Sequence, residues 1–292
     1  MSLRTFLAVV ILLPIVLIGG LMALNIKVPV PELGRDYVVR VALGETTEIG
    51  LPDIAGPNDP DAPLVVIDAG HGGRDPGAVG GSTSAPIREK DVVLGIALKL
   101  REELLDLGGI RVALTRDDDS FLTLSERPNL ARRMNADVFV SIHADSAGEG
   151  AEAAGASIYT LSQRATSAAA ARFARRENDA DRLNGLELEG EDADVNAILV
   201  ELSQRRAKEE ALELASLIRR EGRGRLDFHP QTLRGADLVV LRTPDMPSIL
   251  FEAGFLTNPN EAERLSSEEG QEAAAESLAR AIQVYFVRQG LN

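Results

Sequence analysis

The sequence contains no cysteine and only three histidines in 292 residues. The lack of cysteine excludes thiol nucleophiles, zinc thiolate sites and disulfide bonds. Basic residues are also scarce relative to acidic ones, and the formal net charge is −14. Proteins that bind the phosphate backbone of nucleic acids need a basic face. The composition therefore argues against nucleic-acid binding, although a small local basic patch is compatible with it.

The first 24 residues carry a long apolar segment. Arg4 precedes an uncharged run from Phe6 to Leu24, and this run is close to the length that spans a bilayer. The residues that follow form a poor small-residue cleavage site, so residues 1–24 are predicted to be an uncleaved inner-membrane anchor or a cleaved signal sequence. Both alternatives export the remainder of the chain, which we therefore expect in the periplasm.

Residues 25–63 read as a linker, because the stretch ends in LPDIAGPNDPDAP, which is rich in proline, aspartate and glycine. From Leu64 onward, strand and helix signals alternate, and this alternation predicts an α/β domain over 64–292 with a mainly parallel sheet. The predicted strands are 64–70, 110–115, 137–144, 156–160, 237–242 and 248–254, and the predicted helices include 89–107, 124–135 and 268–289.

Residues at about 162–206 break this alternation. An alanine-rich segment, SAAAARFARRE, is followed by acidic ELEGEDAD and then by VNAILVELSQRR. The pattern predicts a helical insertion made of two helices joined by a polar loop. Such an insertion could cover a site or dock a partner, or it could merely extend the scaffold, and the residues themselves leave these alternatives open.

The unusual polar residues fall at the ends of predicted strands. His71 follows the first strand, while His143 and Glu252 close two later ones. The carboxyl edge of a parallel sheet is where ligands bind in such folds. Glu89 opens a helix and begins its buried face, where a free carboxylate would be costly. Two imidazoles and one carboxylate form a common catalytic zinc set, and a second carboxylate can serve as general base.

Each of these residues also has a structural explanation when taken alone. A histidine after a strand is often part of the scaffold, and a glutamate at a helix start interacts with the helix dipole. His229 reads first as a surface-loop histidine and second as a residue near the substrate. Asp68 could orient His71 as a hydrogen-bond acceptor, and Asp145 could do the same for His143 or only cap a turn.

Four motifs in order resemble the zinc-dependent N-acetylmuramoyl-L-alanine amidases. They are DAGHGGRDPGAVG, REKD, SIHADS and PSILFEAGFLTN, and the resemblance covers residues 64–288. It implies a twisted sheet of about six strands with helices on both faces. It also implies that His71, Glu89 and His143 bind zinc and that Glu252 is catalytic. The implied reaction cleaves the amide between the lactyl group of N-acetylmuramic acid and L-alanine in peptidoglycan.

The insertion resembles the segment of cell-division members of that family, through ARRENDADRLNG and VNAILVELSQ. The resemblance implies that it lies over the zinc site and inhibits the enzyme until an activator protein displaces it during cell separation. The insertion residues considered as those facing the metal are Glu187, Glu189, Glu191 and Glu201. The glycines around His71 are expected to let a bulky glycan-peptide approach the metal.

Two other functions remain as alternatives. A zinc carboxypeptidase acting on wall peptides would need a glutamate three residues after the first histidine, where this sequence has Arg74. A non-catalytic protein that binds peptidoglycan or regulates another enzyme would not need all four site groups, which are intact here.

Overall fold

The computed structural model describes residues 50–82, 84–146, 153–180 and 197–291, without the side chains of 145 and 197–203. The predicted membrane segment and residues 25–49 of the linker lie outside this part. The rest of the predicted linker, 50–63, belongs to the same compact unit as the domain, and Ala55 pairs there with Val112. No helix among the described residues is long and apolar enough to cross a bilayer.

Eight strands and six α-helices make up the described domain. In chain order they are β1 (Leu64–Ala69), β2 (Val79–Ser82), β3 (Ala85–Arg88), α1 (Glu89–Leu107), β4 (Arg111–Leu114), α2 (Glu126–Arg133), β5 (Val138–Asp145), β6 (Ala156–Leu161), α3 (Ala168–Asn178), α4 (Ala197–Glu221), β7 (Phe228–Ala236), β8 (Ser248–Phe255), α5 (Pro259–Ser266) and α6 (Glu268–Gln289). A short 3-10 helix spans Val239–Leu241.

Six of the strands form one mixed sheet in the order β4-β1-β5-β8-β6-β7. The four strands β4, β1, β5 and β8 are parallel to one another. Strand β6 runs antiparallel to β8, and β7 is parallel to β6. The predicted six-stranded, mainly parallel α/β sheet is therefore confirmed, with its last two strands reversed.

Side chains alternate between two buried layers along the central strands. In β1, Val65 and Ile67 face one core, which is shared with α1, α4 and α6. Leu64 and Val66 face the other core, where Ala131 of α2 and Phe173 of α3 pack. A strand that is buried on both faces reads as a continuous apolar run, which is why LVVIDA was recognisable in the sequence. Helices cover both faces of the sheet.

The sixth strand differs from its prediction. The apolar run 237–242 is not a strand; it holds the short 3-10 helix, and the strand is Phe228–Ala236 instead. A short apolar run cannot be assigned by periodicity alone. The true strand shifts register against β6 between Ala156 and Ile158, so its alternation is interrupted. The hairpin of β2 and β3 was not predicted because both strands are largely exposed.

Candidate metal and catalytic site

Four polar side chains from separate elements meet at the carboxyl edge of the parallel strands. His71 follows β1, and Glu89 is the first residue of α1. His143 in β5 and Glu252 in β8 are paired in register, and registered neighbours in a parallel pair point to the same face of the sheet. All four are buried, Glu252 completely. The structure thus brings the predicted residues to one edge.

Two ring nitrogens and two carboxylates converge at this edge. The Nε2 atom of His71 lies 3.1 Å and the Nδ1 atom of His143 lies 3.2 Å from Oε1 of Glu89. The Oε2 atom of Glu177 lies 3.8 Å from that Nε2 and 3.4 Å from that Nδ1. Neither ring nitrogen has a hydrogen-bond partner within the described part of the chain. A buried nitrogen without such a bond is unusual and calls for another ligand.

The spacing fits a tetrahedral metal ion. Zinc binds nitrogen and oxygen at about 2.0–2.2 Å, so neighbouring ligand atoms around it lie about 3.3 Å apart. The four distances above bracket that value. His71, His143 and Glu177 also offer ligand atoms that all lie within 4.8 Å of one another. The donor set, two imidazoles with carboxylates and no thiolate, is one that zinc accepts.

The pKa values of His71 and Glu89 are both shifted by the charges within this cluster. Burial disfavours a charged imidazole, but the charge of Glu89 and the hydrogen bond to Asp75 outweigh it and raise the pKa of His71 well above its usual range. Burial likewise opposes ionisation of Glu89, yet the charge of His71 holds the pKa of that carboxyl far below normal. The site is therefore built around a positive charge at its centre.

Glu89 is fixed by two backbone amides. Ala78 N–H donates to its Oε2 at 2.7 Å, and Ala144 N–H donates to its Oε1 at 2.9 Å. Two glycines leave space for the same cluster. A Cβ at Gly70 would lie 2.5 Å from the ring of His143, and one at Gly77 would lie 2.6 Å from Oε2 of Glu89. These two glycines make room for the site's own side chains, and the expectation that glycines here admit substrate stays a prediction.

The backbone of His71 is in the left-handed region, with φ of 59°. Arginines beneath it hold this turn through carbonyl groups. Arg127 donates to the carbonyls of Ala69 and His71 at 2.8 and 2.7 Å. Arg116 donates to the carbonyls of Ala69 and Gly70 at 2.9 and 2.7 Å. We call this buried set, completed by Asp68, the arginine floor; its members are Asp68, Arg116 and Arg127.

The prediction that Asp68 orients His71 is wrong. Asp68 accepts hydrogen bonds from Thr115, Ser141 and Arg127, and Arg127 with these hydroxyls keeps the pKa of its carboxyl below the usual value despite burial. The partner of His71 Nδ1 is Asp75, at 2.9 Å. The error arises because Asp68 is held within strand β1, where its direction is set by the sheet, while His71 lies in the loop beyond the strand. The sequence shows Asp75 as a carboxylate four residues after His71, but nothing in the local pattern indicates that the two side chains bond.

Glu177 was missed by the sequence reasoning. It lies in α3, inside the insertion predicted at 162–206, and reaches the two histidines from above the sheet. The insertion residues proposed to face the metal were Glu187, Glu189, Glu191 and Glu201, and their side chains lie outside the described residues. The signal that could have found Glu177 was its place at the end of an alanine-rich amphipathic helix, one turn beyond Phe173.

Among the described residues, the side chain of the third histidine, His229, contacts Gln231, Arg234 and Phe255 rather than this cluster. His229 is part of β7, where its Nδ1 bonds the amide of Gln231 and the guanidinium of Arg234. Burial and the charge of Arg234 lower its pKa, and its ring lies 6.1 Å from that of Phe255. These contacts favour a structural role. The side chain of Asp145 is outside the described part, so its predicted role stays a prediction.

Residues 65–284 match the family model described as N-acetylmuramoyl-L-alanine amidase. This chain belongs to that family. AmiC of Neisseria meningitidis, named as such an amidase, is 38% identical over 226 residues, which are 77% of this chain and 53% of the relative. The amidase AmiA of Salmonella typhimurium is 38% identical over 224 residues, 76% of each chain. The match therefore spans only about half the length of the Neisseria relative.

Among solved structures, the CwlD amidase of Clostridioides difficile, determined in complex with the GerS lipoprotein, has a similar fold. It shares 27% identity and a TM-score of 0.57 over 77% of this chain and 99% of that one. The family assignment makes this chain an amide hydrolase of the peptidoglycan amidase class. It also disfavours the carboxypeptidase and the non-catalytic alternatives.

Proposed function

We propose that this protein is a zinc-dependent N-acetylmuramoyl-L-alanine amidase whose resting form is inhibited by its own helix α3. The substrate is peptidoglycan, and the cleaved bond joins the lactyl carbonyl of N-acetylmuramic acid to the nitrogen of L-alanine. The observation that carries the proposal is the convergence of two unbonded ring nitrogens on buried carboxylates in a chain of this family.

In this proposal, His71, Glu89 and His143 are the permanent metal ligands. Glu89 is supported in that role by the two amides that fix its oxygens, and His71 by its bond to Asp75. Such supporting partners orient ligands and raise their affinity for metal. Zinc, when bound, lowers the pKa of water toward about 7 and polarises a carbonyl oxygen.

Glu252 is the proposed general base and acid. It takes a proton from the attacking water while a carbon–oxygen bond forms at the lactyl carbonyl. It then gives this proton to the alanine nitrogen as the carbon–nitrogen bond breaks. Its position beside His143 in the β5–β8 ladder supports this role, because a base must lie within reach of the same water as the metal ligands.

The proposed inhibition rests on burial. His71 and His143 are only 8% and 4% exposed, and Glu252 is not exposed at all, so contact between these side chains and a bulky glycan strand with its peptide is restricted. A space of about 350 Å³ beside His71 is bounded on one side by Arg176, Glu177 and Ala180. Glu177 would occupy the fourth ligand position that water needs. We call helix α3 (Ala168–Asn178) the α3 cover.

Displacing the α3 cover requires energy from a partner, and we propose an activator protein that binds the insertion at 162–206. The relative solved with a lipoprotein is consistent with control of this fold by a second protein. We further propose that residues 1–24 export the chain to the periplasm or tether it to the inner membrane, where peptidoglycan is accessible.

The decisive experiment combines metal analysis of the purified protein with a peptidoglycan digest. Glu252→Gln should retain zinc and lose nearly all release of stem peptides, because it removes only the proton acceptor. Glu268→Gln, at a side chain 80% exposed, is the matched control and should act like the unmodified chain. Normal turnover by Glu252→Gln would refute the assignment. Binding of cell wall without turnover, even after deletion of 162–206, would favour a non-catalytic binder.

A further inference from the structure

Ser157 is a fully buried hydroxyl that the reaction scheme above does not use. It lies in β6, directly opposite Glu252 in the antiparallel pair of β6 and β8. Its Oγ atom is buried and has no hydrogen-bond partner among the described residues. Most buried hydroxyls are bonded, so an exception of this kind calls for an explanation.

The register places this hydroxyl on the face of the sheet that holds the site. Directly opposed residues in an antiparallel pair have Cβ atoms about 4.5–5.5 Å apart and point to the same side. Ser157 therefore shares the face of Glu252, and Glu252 in turn shares that of His143. A rotation of the serine and glutamate side chains would bring the hydroxyl within hydrogen-bond distance of the carboxylate.

The α3 cover lies over the same row of residues. Phe173 stacks on Tyr159, with ring centroids 4.4 Å apart, and Glu177 is one helical turn farther along. Glu177 reaches His143, which lies in the same row as Ser157 but two strands away from it, so α3 crosses this row between its contact with β6 and its contact with β5. The resting enzyme thus holds the hydroxyl beneath the cover, next to the residues that would react once the cover moves.

We propose that Ser157 is a positioning residue for Glu252: when the α3 cover withdraws, its hydroxyl donates a hydrogen bond to one carboxylate oxygen and directs the other toward the attacking water. The serine keeps its own proton throughout; only Glu252 takes a proton and returns it. Hydrogen bonds at catalytic groups are often absent at rest and form in the substrate complex, so the unbonded hydroxyl is consistent with this role. The proposal rests on the proposed function of Glu252.

The test compares Ser157→Ala with the isosteric pair Ser157→Thr and Ser157→Val, which differ from each other only in the hydroxyl. The kcat and KM of each variant are measured in the full chain, as the single substitution and as the double variant with Glu177→Gln, with muropeptide fragments as substrate. We expect Ser157→Ala to lower kcat roughly 10- to 100-fold, as for loss of a hydrogen bond to a charged group. KM, zinc content and Tm should stay unchanged, or Tm should rise, because an unbonded buried hydroxyl has been removed. Thr should restore more kcat than Val.

Three outcomes would overturn the proposal. Unchanged kcat in Ser157→Ala would leave the hydroxyl without a role. Increased turnover would show that the hydroxyl restrains the enzyme rather than serving Glu252. Equal kcat for the Thr and Val variants would assign the effect to shape. If Glu252→Gln itself retained turnover, the proposed function would fail instead, so the two failures are distinguishable.

Discussion

The two regions that enclose the site are held by different kinds of contact. The arginine floor is buried and makes charge-assisted bonds to three consecutive carbonyls, those of Ala69, Gly70 and His71. The α3 cover is held by apolar packing of Ala170, Phe173 and Ala174 and by the stack of Phe173 on Tyr159. It is also held by Asn178, whose side chain bonds the backbone of Asp237 and Val239. The proposed inhibition requires that the cover separate from the site while the floor stays fixed.

Breaking the floor should have the largest effect. Arg127→Met leaves the carboxylate of Asp68 buried without its charge partner, and loss of one member of a buried pair costs about 3–5 kcal/mol. Urea unfolding should show this as a lower midpoint. Arg132→Met, on the same helix, removes an exposed pair with Asp245 and should cost about 0–1 kcal/mol. Equal losses in the two variants would contradict a special role for the floor.

A side chain added at Gly70, next to the ring of His143, should have the next largest effect. In Gly70→Ala the new Cβ meets the ring of His143 at 2.5 Å, which should cost about 1–3 kcal/mol of stability. It should also weaken zinc retention in a chelator titration, because the ring must shift. Gly50→Ala, where a Cβ meets nothing within 4 Å, is the control. Unaltered zinc retention in Gly70→Ala would argue against His143 as a ligand.

A change in the α3 cover should raise activity, whereas the changes above lower stability or zinc retention. Glu177→Gln removes the charge that faces the two histidines but keeps the side chain's shape. We expect basal peptidoglycan hydrolysis to rise about tenfold, equivalent to about 1.4 kcal/mol, with little loss of stability. Glu263→Gln, an exposed glutamate on α5, provides the comparison. A fall in activity would instead make Glu177 part of the working enzyme.

Loosening the end of the cover should give the smallest effect. Asn178→Ala removes two hydrogen bonds to the backbone, each worth about 1 kcal/mol at most sites. Faster hydrogen exchange in 168–178 should accompany a modest rise in basal hydrolysis and a modest fall in the unfolding midpoint. Faster exchange without any gain in turnover would mean that the end of α3 can move without opening the site.

Much of this architecture was readable from residue patterns because it depends on local alternation. Continuous apolar runs such as Leu64–Ala69 predicted the central strands, and their carboxyl ends placed His71, His143 and Glu252 at one edge. The pattern failed at β7, where a register shift interrupts the alternation. It also failed for Asp68, because the hydrogen-bond partners of this buried carboxylate lie 47 to 73 positions away in the sequence.

The sequence by itself determined the α/β class, the site's residue types and, through four motifs in order, the family. Those features are encoded by short segments whose spacing along the chain is enough. Only the tertiary structure decided that Glu177 approaches the histidines, that Gly70 and Gly77 leave space for the side chains of His143 and Glu89, and that Ser157 opposes Glu252. Each of these depends on packing between elements far apart in the chain, and the distances between such elements are set by the folded core rather than by any local pattern.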